Sequence, residues 1–129
     1  MPTILYIEDT ENNRILVERK LRRSGYEVLT AEDATVGLAL AARQKPDLIL
    51  MDMGLPGVDG WEATRRLKAD PELKHVPIVA LTAHAMPGDE QRSLDAGCDD
   101  YDTKPFDFDR LMWKIQRLLT KGSSPIIDN

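Results

Sequence analysis

Residues 48–51 (Leu48, Ile49, Leu50, Met51) are apolar without alternation, bounded by Pro46 and by a Gly/Pro cluster after Asp52, the pattern of a strand buried on both faces. Residues 3–7 and 78–81 repeat it nearly unbroken, 27–31 form a short strand, and 100–103 a weaker and more acidic one. Between these runs the apolar spacing becomes helical. Val17 and Leu21 stand four apart among charged residues until Ser24-Gly25 stops the segment. Asp33 is placed to cap a helix with the stripe Ala34, Gly37, Leu38 and Ala41, whose small residues suit close packing on a sheet. Residues 60–68 are helical in character before Asp70-Pro71 breaks them, and Pro87-Gly88-Asp89-Glu90 reads as a first helical turn of a segment reaching Ala96. That fourth helix carries few large apolar residues and should pack least firmly. On the last helix, positions 108, 111, 112, 115, 118 and 119 form one apolar stripe.

Strand and helix therefore alternate five times, which predicts an α/β, doubly wound, five-stranded parallel sheet with helices on both faces. Right-handed crossovers favour the strand order 2-1-3-4-5. One domain is expected over 1–121, with 122–129 a flexible tail. In this order the first and third strands are neighbours, so Glu8, Asp9 and Asp52 converge at the carboxyl edge of the sheet, where ligands bind in such folds.

Composition narrows the function. Seventeen basic against 22 acidic residues give a formal charge of −5, a field that disfavours direct nucleic-acid binding. No apolar run reaches membrane-spanning length and no targeting segment opens the chain, so a cytoplasmic protein without membrane insertion is expected. The single cysteine, Cys98, reads as a small core filler, and His75 and His84 lack metal-ligand spacing.

Three carboxylates gathered at the mouth of an apolar sheet repel one another and call for a proton or a cation. An all-oxygen donor set favours a hard ion, and Mg²⁺ suits one or two carboxylates, a backbone carbonyl and waters. Thr82 and Lys104 end the two remaining strands on the same edge, adding a hydroxyl and an ammonium for phosphoryl oxygens. Together these are the parts for phosphoryl transfer to a carboxylate.

Glu8-Asp9, Asp52 within Asp52-Met53-Gly54-Leu55-Pro56-Gly57-Val58-Asp59-Gly60, Thr82-Ala83, Tyr101 and Lys104-Pro105-Phe106 form an ordered set at successive strand ends. With this set the chain resembles, from Thr3 to about Leu119, the receiver domain of two-component response regulators of the stand-alone, single-domain type. The resemblance implies a flavodoxin-like fold and a phosphorelay protein, not an enzyme acting on a substrate of its own. Asp52 would accept a phosphoryl group from a histidine kinase or phosphotransfer protein. Glu8 and Asp9 would hold Mg²⁺ together with Asp52 and the Gly54 carbonyl, Lys104 would bind the phosphate, and Thr82 with Tyr101 would form the switch pair. It also implies a cis Lys104-Pro105 bond.

Gly54 and His84 occupy places where the family tunes the lifetime of the phosphorylated state, and Asp102 stands where an aliphatic residue is common, so Asp102 must find a partner or solvent. A surface of the fourth helix, fifth strand and fifth helix, with Trp113 among Arg110, Lys114 and Arg117, is expected to carry output to a downstream protein or to a second copy. Two other readings use similar parts. A Mg²⁺-dependent phosphatase of the haloacid-dehalogenase type needs a second acid two residues after its nucleophile, where this chain has Gly54; a docking module would work without phosphorylation. FMN binding is disfavoured by the acidic loop Glu8-Asp9-Thr10-Glu11.

Overall fold

The computed structural model describes residues 1–83, 86–104 and 106–123. The chain forms β1 (Thr3–Ile7), α1 (Glu11–Arg23), β2 (Glu27–Ala31), α2 (Ala34–Gln44), β3 (Leu48–Asp52), α3 (Gly60–Ala69), β4 (Ile78–Thr82), α4 (Asp89–Ala96), β5 (Asp100–Thr103) and α5 (Phe108–Ser123). All strand pairs are parallel and the sheet order is β2-β1-β3-β4-β5, as the alternation of elements predicts. His84, the Lys104-Pro105 bond expected to be cis, and residues 124–129 of the expected tail lie outside the described residues, while Gly122 and Ser123 stand within α5.

β3 and β4 are buried throughout because the sheet is covered on both sides. Ile4, Tyr6, Leu48, Leu50, Val79 and Leu81 face Val17 and Leu21 of α1 and Leu111, Ile115 and Leu118 of α5. The alternate residues Leu5, Ile7, Ile49, Met51, Ile78 and Ala80 face α2 and α3, with Cys98 filling the same layer. Side chains one apart on a strand point to opposite faces, so each unbroken apolar run serves two cores. Burial and the neighbouring Asp99 charge raise the Cys98 thiol to about 11, consistent with an inert filler.

Asp33 caps α2 by accepting the Val36 N–H at 2.8 Å, and Asp59 caps α3 by accepting the Glu62 N–H at 2.9 Å. The expected first turn of α4 is corrected: the helix begins at Asp89, not at Pro87. Asp89 N–H donates to the Met86 carbonyl at 3.0 Å across Pro87 and Gly88, and Gly88 has φ +91°. Pro followed by a glycine in the left-handed region closes a type II turn, which ends where the helix starts. α4 then buries only the small side chains Ser93 and Ala96.

Asp102, 3% exposed, finds its partners on α5. Arg110 donates to both of its carboxylate oxygens, Nη2 to Oδ1 at 2.6 Å and Nε to Oδ2 at 3.3 Å, and Lys114 Nζ lies 3.8 Å from Oδ2. Arg117 pairs with Asp100 at 2.7 Å. The cations expected to ring Trp113 are thus committed to β5, although the Arg117 guanidinium also lies 5.3 Å from the Trp113 ring centroid. Trp113 itself is 59% exposed and outside both apolar layers.

Candidate functional site

Strand register assembles the site. Ile7 pairs with Met51 and Asp52 with Leu81, so Glu8 and Asp52 leave adjacent strands at the same level and Thr82 lies one residue beyond. Met53 N–H donates to the Leu81 carbonyl and Lys104 N–H to the Thr82 carbonyl, at 2.9 and 2.8 Å, which extends the ladder into the loops that carry the polar side chains. A cavity of about 460 Å³ opens here, lined by Glu8, Asp9, Thr10, Asn13, Asp52, Met53, Gly54, Trp61, Thr82, Ala83, Asp89 and Lys104. Tyr101 does not line it; it is half-buried and, like Trp61, packs against the layer under α2 and α3.

Glu8, Asp9 and Asp52 each offer a carboxylate oxygen, and these atoms lie within 4.8 Å of one another. Glu8 is 1% exposed and Asp52 5%, whereas Asp9 is open to solvent. Burial works to raise the Glu8 carboxyl, but the Lys104 ammonium at 2.7 Å, the Thr10 N–H and the Tyr6 hydroxyl hold it below the usual carboxylate range. Asp52 moves the other way, to about 6: burial and the Glu8 charge outweigh the Gly54 N–H, which donates to Oδ1 at 3.0 Å, and Lys104, 3.4 Å from Oδ2. In this state Lys104 is bonded first to Glu8, and Asp52 is the under-compensated acid. All donors are oxygens and one acid is exposed, so the cluster fits a hard divalent cation that keeps part of its water.

Several residues that shape the site escape the strand-end pattern. Tyr6 reads as one more apolar residue of β1, yet its hydroxyl donates to Glu8 Oε1 at 2.9 Å, and burial followed by the Glu8 charge pushes its own pKa far up. Arg14 of α1 donates to the Glu8 carbonyl at 2.8 Å. Trp61 and Asp89 form part of the cavity wall from α3 and α4. Burial, then the Asp89 and Glu90 carboxylates, raises the Tyr101 phenol, so it remains a donor at neutral pH.

Gly60 sets the distance between α3 and the site. A Cβ there would lie 2.5 Å from the Asp52 carbonyl oxygen and 2.7 Å from Met53 Cα, backbone atoms that cannot swing aside. Gly60→Ala should therefore cost about 1–3 kcal/mol in urea unfolding, the usual range for forced overpacking, and slow any reaction at Asp52 by shifting its backbone.

The response regulator receiver domain profile matches residues 4–116. The chain belongs to the response regulator receiver domain family. The polar-differentiation response regulator DivK of Brucella anthropi is 42% identical over 117 residues, covering 91% of this receiver and 95% of DivK. The response regulator PleD of Caulobacter vibrioides is 44% identical over 118 residues, covering 92% of this receiver but 26% of that longer protein. Among solved structures, the receiver domain of the sensor histidine kinase PA1611 from Pseudomonas aeruginosa PAO1 has a magnesium ion coordinated in its active-site cleft. It matches at a TM-score of 0.85 and 42% identity, over 92% of this chain and 97% of that one. The chemotaxis protein CheY4 of Vibrio cholerae matches at a TM-score of 0.86 and 30% identity, over 92% and 98%. The five-stranded order seen here is thus that of CheY-like receivers. Receivers are signalling modules, and no described helix of this one is long and apolar enough to cross a membrane.

Proposed function

We propose that this receiver works in a phosphorelay, with Asp52 as the acceptor of a phosphoryl group from a phosphohistidine on a kinase or phosphotransfer protein. The observation that carries the reading is the asymmetry of the acids: Glu8 is held ionised by Lys104, while Asp52, level with it on the next strand, is pushed up to about 6 and faces the cavity. An Asp52 carboxylate oxygen attacks phosphorus in line, the P–N bond breaks as the O–P bond forms, and the departing imidazole takes up a proton.

Glu8, Asp9 and Asp52, with the Gly54 carbonyl, are the groups that would hold Mg²⁺, which when bound would neutralise phosphoryl oxygens. Lys104 trades part of its contact with Glu8 for the phosphoryl group, and the Thr82 hydroxyl, at the same sheet edge, donates to it. Tyr101, on the strand next to Thr82, follows and alters the exposed face of α4, β5 and α5, where Trp113 would meet a downstream protein or a second copy. The DivK and PleD names support a signalling role of this kind, and a cytoplasmic setting fits it.

Acetyl phosphate is the direct test, since it needs no cognate kinase. With Mg²⁺ the protein should gain one phosphoryl group by intact mass, and with a chelator none. Turnover of many equivalents of a phosphate ester without labelled protein would support the phosphatase alternative instead.

A further inference from the structure

Trp61 joins the acidic site to α4. It directly follows Gly60, which is packed on the Asp52 and Met53 backbone with no space for a Cβ, so the indole is held in register with the acceptor carboxylate. Its Nε1–H donates to Ser93 Oγ at 3.2 Å, and Ser93 is fully buried. The Arg92 guanidinium covers the ring, with Cζ 3.7 Å from the centroid, close enough for a cation–π contact. Ser93 and Ala96 are the only buried residues of α4, and neither belongs to the apolar layers, so hydrophobic burial holds this helix weakly.

The same helix carries a charge of each sign toward the site. Asp89, its first residue, lines the cavity with Asp52, and Arg92 lies on the indole that forms another part of the wall. Phosphorylation replaces the single carboxylate charge of Asp52 with about −1.5 to −2 on the phosphoryl oxygens, which stand farther out in the cavity than the carboxylate did. That charge repels Asp89 and draws the Arg92 guanidinium away from the ring.

We infer that Trp61 is a positioning residue through which the charge at Asp52 sets the hold on α4, by way of the indole bond to Ser93 and the Arg92 stack. The inference rests on Asp52 being the phosphoacceptor. The route runs along the β3 to α3 side of the cavity, through residues other than Thr82 and Tyr101.

Hydrogen exchange at residues 89–96 of the full chain tests it, with Mg²⁺ and beryllofluoride as the phosphoryl mimic. Loading the wild type should speed exchange there about three- to tenfold, the range that one hydrogen bond carries. Trp61→Phe, which keeps a ring for Arg92 but lacks the N–H, and the milder Ser93→Ala should each show that increase without loading. The double variant should exceed neither single variant, and loading should add less than about twofold to any of them, because the linking bond is already gone. Unloaded variants that exchange like wild type, or variants that keep the full loading response, overturn the inference. A wild type that binds beryllofluoride by native mass spectrometry with α4 exchange unchanged overturns this inference alone. A wild type that does not bind it overturns the phosphoacceptor reading and this inference with it.

Discussion

Asp52→Asn should make the metal-free protein more stable at neutral pH while abolishing phosphoryl acceptance. The Asp52 carboxyl is raised from 3.8 to about 6 in the fold, by burial first and by Glu8 in addition, despite the Gly54 N–H and Lys104. Below the unfolded value both states hold the proton and the group contributes nothing. Between the two values the unfolded chain releases its proton first, so stability falls as pH rises, and above about 6 the whole penalty applies. Removing the charge should therefore add on the order of 1–3 kcal/mol at neutral pH and nothing below the unfolded value. Thermal melts of both proteins across this window check the sign. Mg²⁺ should reverse the order, stabilising the wild type more than the variant, because a cation bound at the ionised cluster favours the folded state.

Lys104→Met should have the opposite sign and a larger size. The Lys104 ammonium lies 2.7 Å from buried Glu8, and its loss leaves that carboxylate, among the described residues, with the hydrogen bonds from Tyr6 and Thr10. Breaking a buried ion pair from one side costs about 3–5 kcal/mol. Glu8 is lowered below its ordinary 4.5, so its stabilising contribution is present above that value and fades as pH falls through the folded one. The deficit of Lys104→Met should accordingly be greatest at neutral pH and shrink in acid, where Glu8 takes up a proton in its place. Denaturant unfolding at both pH values measures this. Acetyl phosphate labelling should also slow, since the variant lacks the cation for phosphoryl oxygens.

What could be read along the chain was the part that depends on local pattern. Unbroken apolar runs located β1, β3 and β4, and the residues just after those runs, Glu8, Asp9, Asp52 and Thr82, share a cavity with Lys104, which follows the weaker β5, because parallel strands end on one edge. Contacts across elements were not legible. Tyr6 carries the same apolar signal as its neighbours in β1, and only the fold turns its hydroxyl onto Glu8. Asp102 gained a partner from Arg110, eight residues on and across the strand-to-helix turn, and the same pairing removed Arg110 and Lys114 from the set expected around Trp113. The α4 start was misread because Pro87-Gly88 serves a type II turn as readily as a first helical turn, and the left-handed Gly88 decides between them. Trp61 gave no sign of its place because its partners, Arg92 and Ser93, sit on a helix about 30 residues away.

Locating the phosphoryl group on the chain tests the central claim most directly. After reaction with acetyl phosphate and Mg²⁺, borohydride reduces an aspartyl phosphate to homoserine, which peptide mass spectrometry places by residue. Homoserine at position 52, absent when Mg²⁺ is chelated and absent in Asp52→Asn, is the predicted result. Homoserine at Asp9, or a label of equal stoichiometry in Asp52→Asn, would contradict Asp52 as the acceptor.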